Sequence, residues 1–301
     1  MNPLCKQVWF ADDGTGCDSL EKLKKWWDVL QEEGPAFGYF PKASKSILIV
    51  KEGCAQKARK IFANSEIKIE TQGSRHLGAA VGTSSFQKTF LDAKVKVWIG
   101  FVERLSLFAI TQPHAAFSAF TRNLQSRWSF ISRTVPDAAD AFLPLEEAIS
   151  RTFLPALLGR SVNPLERALL ALPARFGGLG ISNPAKLCEH AYAASRTLAA
   201  PLTDLIRKQK TSFDPTSLKT LQQETRSRLR KEADERARAE LEKIERNASE
   251  NLKLAIKIAC EKGASCWLTA RPLEAHSTIL HKGDFRDAIR LRYKWQLSAP
   301  A

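Results

Sequence analysis

Residues 216–262 contain neither proline nor glycine and are rich in Ala, Glu, Lys and Arg. A segment of that composition has one regular option, the α-helix. Its small apolar residues support this. Leu218, Leu221, Leu229, Ala233, Ala237, Leu241, Ile244, Ala248, Leu252, Ala255 and Ala259 recur at steps of three or four, with Thr225 filling one gap. The stripe is narrow and the other faces are charged, so the sequence predicts one long amphipathic helix stopped by Gly263. Such a helix either pairs its seam with a partner, giving helix-mediated self-association, or serves as a solvated strut.

Upstream, the pattern divides again near Ser84. Before it, "KQVWFA" and "SILIVK" read as short strands, "IKIET" alternates as a strand does, and "SLEKLKKWWDVLQEEG" and "AQKARKIFAN" carry helical spacing. After it, helices dominate, beginning with "SFQKTFLDAKVKVWIGFVERLSLFAIT", whose Phe86, Phe90, Val97, Phe101, Leu105 and Phe108 are read as its buried face. The expected fold class is an α+β N-terminal part over 1–82, followed by a mainly α-helical region. That region comprises helices over 83–205, the long charged helix over 206–263 and a basic, aromatic segment over 264–301.

Net charge narrows the partners. Lys and Arg exceed Asp and Glu by 14, which favours a polyanion such as RNA or DNA because phosphate contacts release condensed counterions. A solubilising surface is the competing reading. Cys5, Cys17, Cys54, Cys188, Cys260 and Cys266 are scattered, with no C-x-x-C, as expected for reduced thiols rather than a disulfide frame. No apolar run approaches the ~20 residues of a spanning helix, and no signal pattern opens the chain. The expected setting is intracellular, cytoplasmic or nuclear, without a membrane partner.

The chemistry-bearing pair is Asp12–Asp13, placed after the apolar Val8-Trp9-Phe10 and before Gly14. Two carboxylates at a tight turn repel and are relieved by a cation. A hard ion such as Mg²⁺ takes one or two protein carboxylates together with substrate phosphate oxygens. An ordinary exposed Asp-Gly turn is the alternative.

"FADD" resembles the Tyr/Phe-x-Asp-Asp hairpin in the palm of reverse transcriptases, above all those of non-LTR-like retroelements. The order downstream is similar too. "GYFPKASKSILIV" resembles the next palm motif, and "IKIETQGSRHLGAAVG" the primer-side hairpin that follows. "LPARFGGLGISNP" is similar to a Gly-Gly-Leu-Gly segment found after the thumb, and "ASCWLTARPLEAHSTILHKGDFRDAIRLRYKW" to the C-terminal part of such proteins. The resemblance implies a partial palm over 1–82 and a thumb- or connection-like region over 83–205. It implies catalytic and metal-binding roles for Asp12 and Asp13, with Mg²⁺ as cofactor once the palm site is completed. It makes Lys45 the palm lysine near the incoming triphosphate; a solvated lysine before a strand is the other reading. The family also needs an earlier palm strand with a further Asp, and fingers, both upstream of this hairpin. The expectation is therefore a C-terminal portion of an RNA-directed DNA polymerase, inactive by itself. The rival is a non-catalytic helical nucleic-acid-binding or scaffold protein.

The remaining constellations are weaker. Cys260, Cys266, His276 and His281 have ligand identities, but C-x5-C-x9-H-x4-H fits no standard finger, so zinc is not expected. His114 and His190 sit in apolar runs and read as core residues. "GGLG" lacks the Lys-Ser/Thr of a phosphate loop and reads as a backbone turn. In the tail, Arg286, Arg290, Arg292, Tyr293, Lys294 and Trp295 offer charge and stacking surface to nucleic acid, or cap the fold as an amphipathic helix.

Overall fold

The computed structural model describes residues 5–210 and 212–296. Its contacts divide the chain into two units, Met1–Phe90 with Ser195–Arg226, and Leu91–Ala194 with Ser227–Ala301. The division is not linear, because three long helices each contribute to both units. The coarse fold class is as the sequence suggested: small sheets of two strands each, then a mostly helical remainder.

The first unit opens with the hairpin β1 (Lys6–Phe10) and β2 (Asp13–Cys17), antiparallel with Phe10 opposite Asp13 and Trp9 opposite Gly14. The turn is therefore Ala11–Asp12, two residues earlier than the Asp-Gly dipeptide, which lies inside β2. The glycines are there because indoles lie on them. A Cβ on Gly14 would stand 2.9 Å from the Trp9 ring, and one on Gly16 would stand 3.0 Å from the Trp26 ring. Ala11 takes a positive φ of 53°, as the first loop residue of a type II′ hairpin turn does.

Gln7 holds the hairpin down. Its Oε1 accepts the indole N–H of Trp26 at 2.8 Å and of Trp9 at 3.2 Å. Its backbone N–H donates to Gln209 Oε1, and the Gln209 amide donates back to the Gln7 carbonyl. That side chain satisfies β1's outer edge as a strand would.

Helix α1 (Leu20–Glu33) follows. Strands β3 (Ile47–Ile49) and β4 (Lys68–Glu70) pair in parallel across α2 (Ala55–Ile61), and β5 (Gly73–His76) with β6 (Ala79–Gly82) forms a second hairpin.

In the second unit the core is aromatic. Helix α3 (Ser84–Thr111) buries Leu91, Val95, Trp98 and Val102. This is not the stripe expected from the sequence: Val97 and Phe108 are 52% and 47% exposed. The helix is apolar on more than one face, so periodicity alone does not choose between them.

Helices α4 (Pro113–Ala119) and α5 (Ser126–Thr134) flank a π-helical turn, Phe120–Leu124. Helices α6 (Leu143–Ala148) and α7 (Leu154–Leu158) flank another, Ile149–Phe153. The two turns bring Phe120 and Phe153 into a stack with centroids 4.5 Å apart, with Trp128 edge-on to Phe120. Trp98 joins between Trp128 and Phe142.

Helix α8 (Pro164–Ala171) starts at a capping box. Asn163 Oδ1 accepts the Glu166 N–H, and Glu166 accepts the Asn163 N–H. Arg167 on α8 donates twice to Glu146 on α6, both at 2.7 Å, and also to the carbonyls of Ile181 and Ser182. The Gly-Gly-Leu-Gly segment is a packed turn: a Cβ on Gly178 would lie 2.0 Å from the Leu172 carbonyl oxygen.

Helix α9 (Pro184–Lys208) leads to the charged segment, which is not one helix. Helix α10 (Pro215–Asn247) stops, Ser249 caps α11 (Glu250–Ala259) by accepting the Leu252 N–H at 3.3 Å, and Ala248 is the joint. A serine that can cap is a start signal inside a run of uninterrupted periodicity. After α12 (Cys266–Thr269), α13 (Lys282–Tyr293) closes the described chain.

The Arg167–Glu146 pair yields a stability prediction. Glu146→Ala leaves a buried guanidinium without its carboxylate and is expected to lower unfolding free energy by about 3–5 kcal/mol, measured by denaturant titration. A loss below about 1 kcal/mol would place this pair with solvent-screened ones.

Candidate functional site

Asp12 and Asp13 stand at the exposed end of the β1–β2 hairpin. Next to them Phe10 is 70% exposed, and Trp9, itself 41% exposed, packs edge-on against Trp26 and meets the Tyr39 ring edge-on at 5.1 Å. Tyr39 lies in the segment after α1, where its backbone N–H bonds to the Gly34 carbonyl. Burial raises the Tyr39 phenol above its ordinary value, and the negative charges of Asp12 and Asp13 raise it further. Both carboxylates thus bear on one half-buried phenol.

Two exposed carboxylates suit one hard divalent ion whose remaining positions go to water and phosphate oxygens. Among the described residues no three His, Cys, Asp or Glu side chains gather as a ligand group. Asp12 and Asp13 are thus the two carboxylates that the hairpin tip presents. Lys45 lies in the one-turn helix Ala43–Lys45 before β3 and is exposed. The structure does not bring it within hydrogen-bonding distance of either carboxylate.

The tail residues named from the sequence are mostly turned inward. Tyr293 is buried and donates its hydroxyl to the Gly177 carbonyl at 2.9 Å, and burial pushes its phenol up to about 12. Arg292 donates to Ser265 Oγ at 2.9 Å. Arg286 donates to the carbonyls of Ala156 and Leu157 at the end of α7, neutralising a helix C-terminus. Arg290 pairs with Asp287 at 2.9 Å. Trp295 lies under the Arg160 guanidinium at 4.2 Å and beside Tyr293. Of the six, only Lys294 projects as an exposed cation.

Exposed guanidiniums resting on an aromatic ring lie on α3 and α5. Arg104 and Arg127 both lie over the Phe101 ring, 5.0 and 5.2 Å from its centroid. Both are exposed, and among the described residues neither is ion-paired. Phe108 and Phe130, exposed on the same two helices, extend the surface. Flat guanidiniums held on a phenyl ring are pre-organised for phosphate, and exposed aromatic rings can stack on bases. The sequence signal was present in the i, i+3, i+7 spacing of Phe101, Arg104 and Phe108, but that face was assigned to the core.

Elsewhere, Cys260, Cys266, His276 and His281 do not converge. His114 is buried, with Nδ1 accepting the Leu280 N–H at 3.0 Å and Phe285 stacked on its ring; burial lowers its pKa. His190, expected in the core, is exposed on α9.

The charge coupling at the tip is measurable. Asp12→Asn with Asp13→Asn should lower the Tyr39 pKa, because removing nearby negative charge makes the phenolate less costly. The check is an alkaline absorbance titration, with Tyr39→Phe used to assign the transition. An unmoved midpoint would mean that the carboxylates do not face the phenol.

No protein-family model, curated protein or solved structure matches this chain.

Proposed function

We propose that this chain is a reverse-transcriptase-like, nucleic-acid-binding portion of an RNA-directed DNA polymerase, carrying the palm's acidic hairpin. The observation that carries the reading is the hairpin itself. Strand β1 runs into the Ala11–Asp12 turn, which leaves Asp12 and the first β2 residue, Asp13, exposed at the tip. The resemblance of "FADD" and of the motifs after it supplies the family. In that reading the pair holds one Mg²⁺, which would neutralise phosphate charge at the tip. With two carboxylates at the tip, the chain by itself binds rather than polymerises. Its partners are RNA and DNA, favoured by the excess of 14 positive charges.

A second reading, a helical nucleic-acid-binding protein without metal chemistry, is favoured by the exposed guanidiniums of Arg104 and Arg127 on Phe101.

Fluorescence anisotropy with a labelled RNA–DNA hybrid separates the two. Binding should fall steeply with salt. Arg104→Gln with Arg127→Gln should reduce the slope of log K against log salt by about 2. Under the polymerase reading, Asp12→Asn with Asp13→Asn abolishes any gain in affinity from Mg²⁺. If the Mg²⁺ response survives that change while the arginine change removes binding, the helical reading stands and the palm reading falls.

A further inference from the structure

Arg160, Arg290, Trp295 and Gln296 line an open cleft of about 340 Å³ in the second unit. Two guanidiniums, an indole and a carboxamide form its wall, and no carboxylate lies among these lining residues. The carboxylates that balance the arginines stand behind. Glu166, nearly buried, accepts from both terminal nitrogens of Arg160 at 2.9 and 3.2 Å, and Asp287 accepts from Arg290.

These contacts orient the cations without consuming them. Glu166 takes two of the five N–H groups of Arg160. Trp295, 4.2 Å beneath the guanidinium, fixes its plane. Arg290, largely buried, gives one N–H to Asp287. One turn before it on α13, Arg286 spends its donors on the end of α7. Burial and the charge of Arg290 together lower the Arg286 pKa, so positive charge is crowded at this end of the helix.

We propose that the cleft binds a phosphate monoester, held between the guanidiniums of Arg160 and Arg290 with the Gln296 amide as a further donor. A dianion with three terminal oxygens can accept from two guanidiniums at once, where a single carboxylate offers two oxygens. The volume lies at the small end of ligand pockets, which suits a phosphoryl group with a short organic remainder. The cleft is built from residues of the second unit alone and does not rest on the polymerase reading.

The test uses the full chain. Its thermal midpoint is compared in inorganic phosphate and in chloride at matched ionic strength, then with a nucleoside monophosphate added. Phosphate should raise the midpoint by ~2–4 °C over chloride. Arg290→Gln should abolish the difference, and Lys294→Gln, an exposed neighbour outside the lining, should keep it. Equal midpoints in phosphate and chloride, or a shift that survives Arg290→Gln, would overturn the site. If Arg290→Gln does not fold, the unmodified chain decides: phosphate must change tryptophan fluorescence, and Trp295→Phe must reduce that change.

The source of the phosphate is read from two oligonucleotides of one sequence, one with a 5′-phosphate and one with a 5′-hydroxyl. Tighter, Arg290-dependent binding of the first assigns the cleft to a nucleic-acid end. Equal binding, with the response to the nucleoside monophosphate intact, assigns it to a small free ester. Equal binding of both oligonucleotides without any response to phosphate rejects the proposal.

Discussion

The guanidinium of Arg167 organises the second unit. Buried between α6 and α8, it reaches Glu146 through two short hydrogen bonds and the carbonyls of Ile181 and Ser182 through two more. A charge so placed is tolerable only if every donor is met and its counter-charge is in place. Two helices and a loop are therefore fixed at once. The loop is the Gly-Gly-Leu-Gly turn, and Gly178 packs so closely on the Leu172 carbonyl that a side chain there would collide. Once set, the turn becomes a platform. Tyr293 donates its hydroxyl to the Gly177 carbonyl, and Ser265 and Arg292 bond around the preceding turn at Ala174. The C-terminal helix is seated on carbonyls that the Arg167 network holds in position.

This explains why the tail misleads as a sequence. Arg286, Arg292 and Tyr293 have the composition of a nucleic-acid contact, and the fold uses them as internal donors to α7, Ser265 and Gly177. Arginine serves both purposes with one geometry, since a fork that fits phosphate also fits a pair of helix-end carbonyls. Composition counts the cations and cannot say which are spent. Arg104 and Arg127 are distinguished from the tail arginines by being exposed and stacked on Phe101, a property of placement alone.

Other elements were legible to differing depth. Strands β1, β3 and β4 follow from apolar or alternating runs bounded by turn residues, whereas β2, with the sequence Asp-Gly-Thr-Gly-Cys, has no apolar run and reads as turn chemistry. The turn of the first hairpin was displaced because Asp-Gly is a strong local signal. That signal lost to a tertiary one, Trp9 and Trp26 lying over Gly14 and Gly16. The long charged segment was read as continuous because helical periodicity passes through residues 247–249 unbroken. The break depends on Ser249 turning its hydroxyl to the backbone of Leu252, a local competition that spacing does not record. The buried face of α3 was chosen wrongly because Phe, Val and Leu occur around much of its circumference. Which ridge packs is decided by Trp128 and Phe142 meeting Trp98.

The same distinction governs how the acidic hairpin is to be understood. Asp12 and Asp13 both stand exposed at the hairpin tip, where water screens their repulsion. Gln7 and Gln209 secure the strand below, and Trp9 and Trp26 fill the space over its glycines. The tip is left projecting with Tyr39 beside it. The glutamine clamp and the two indoles brace the hairpin beneath its exposed carboxylates. Support of that kind fixes the geometry of the tip through the strand's own backbone and its indoles, independently of what the carboxylates meet.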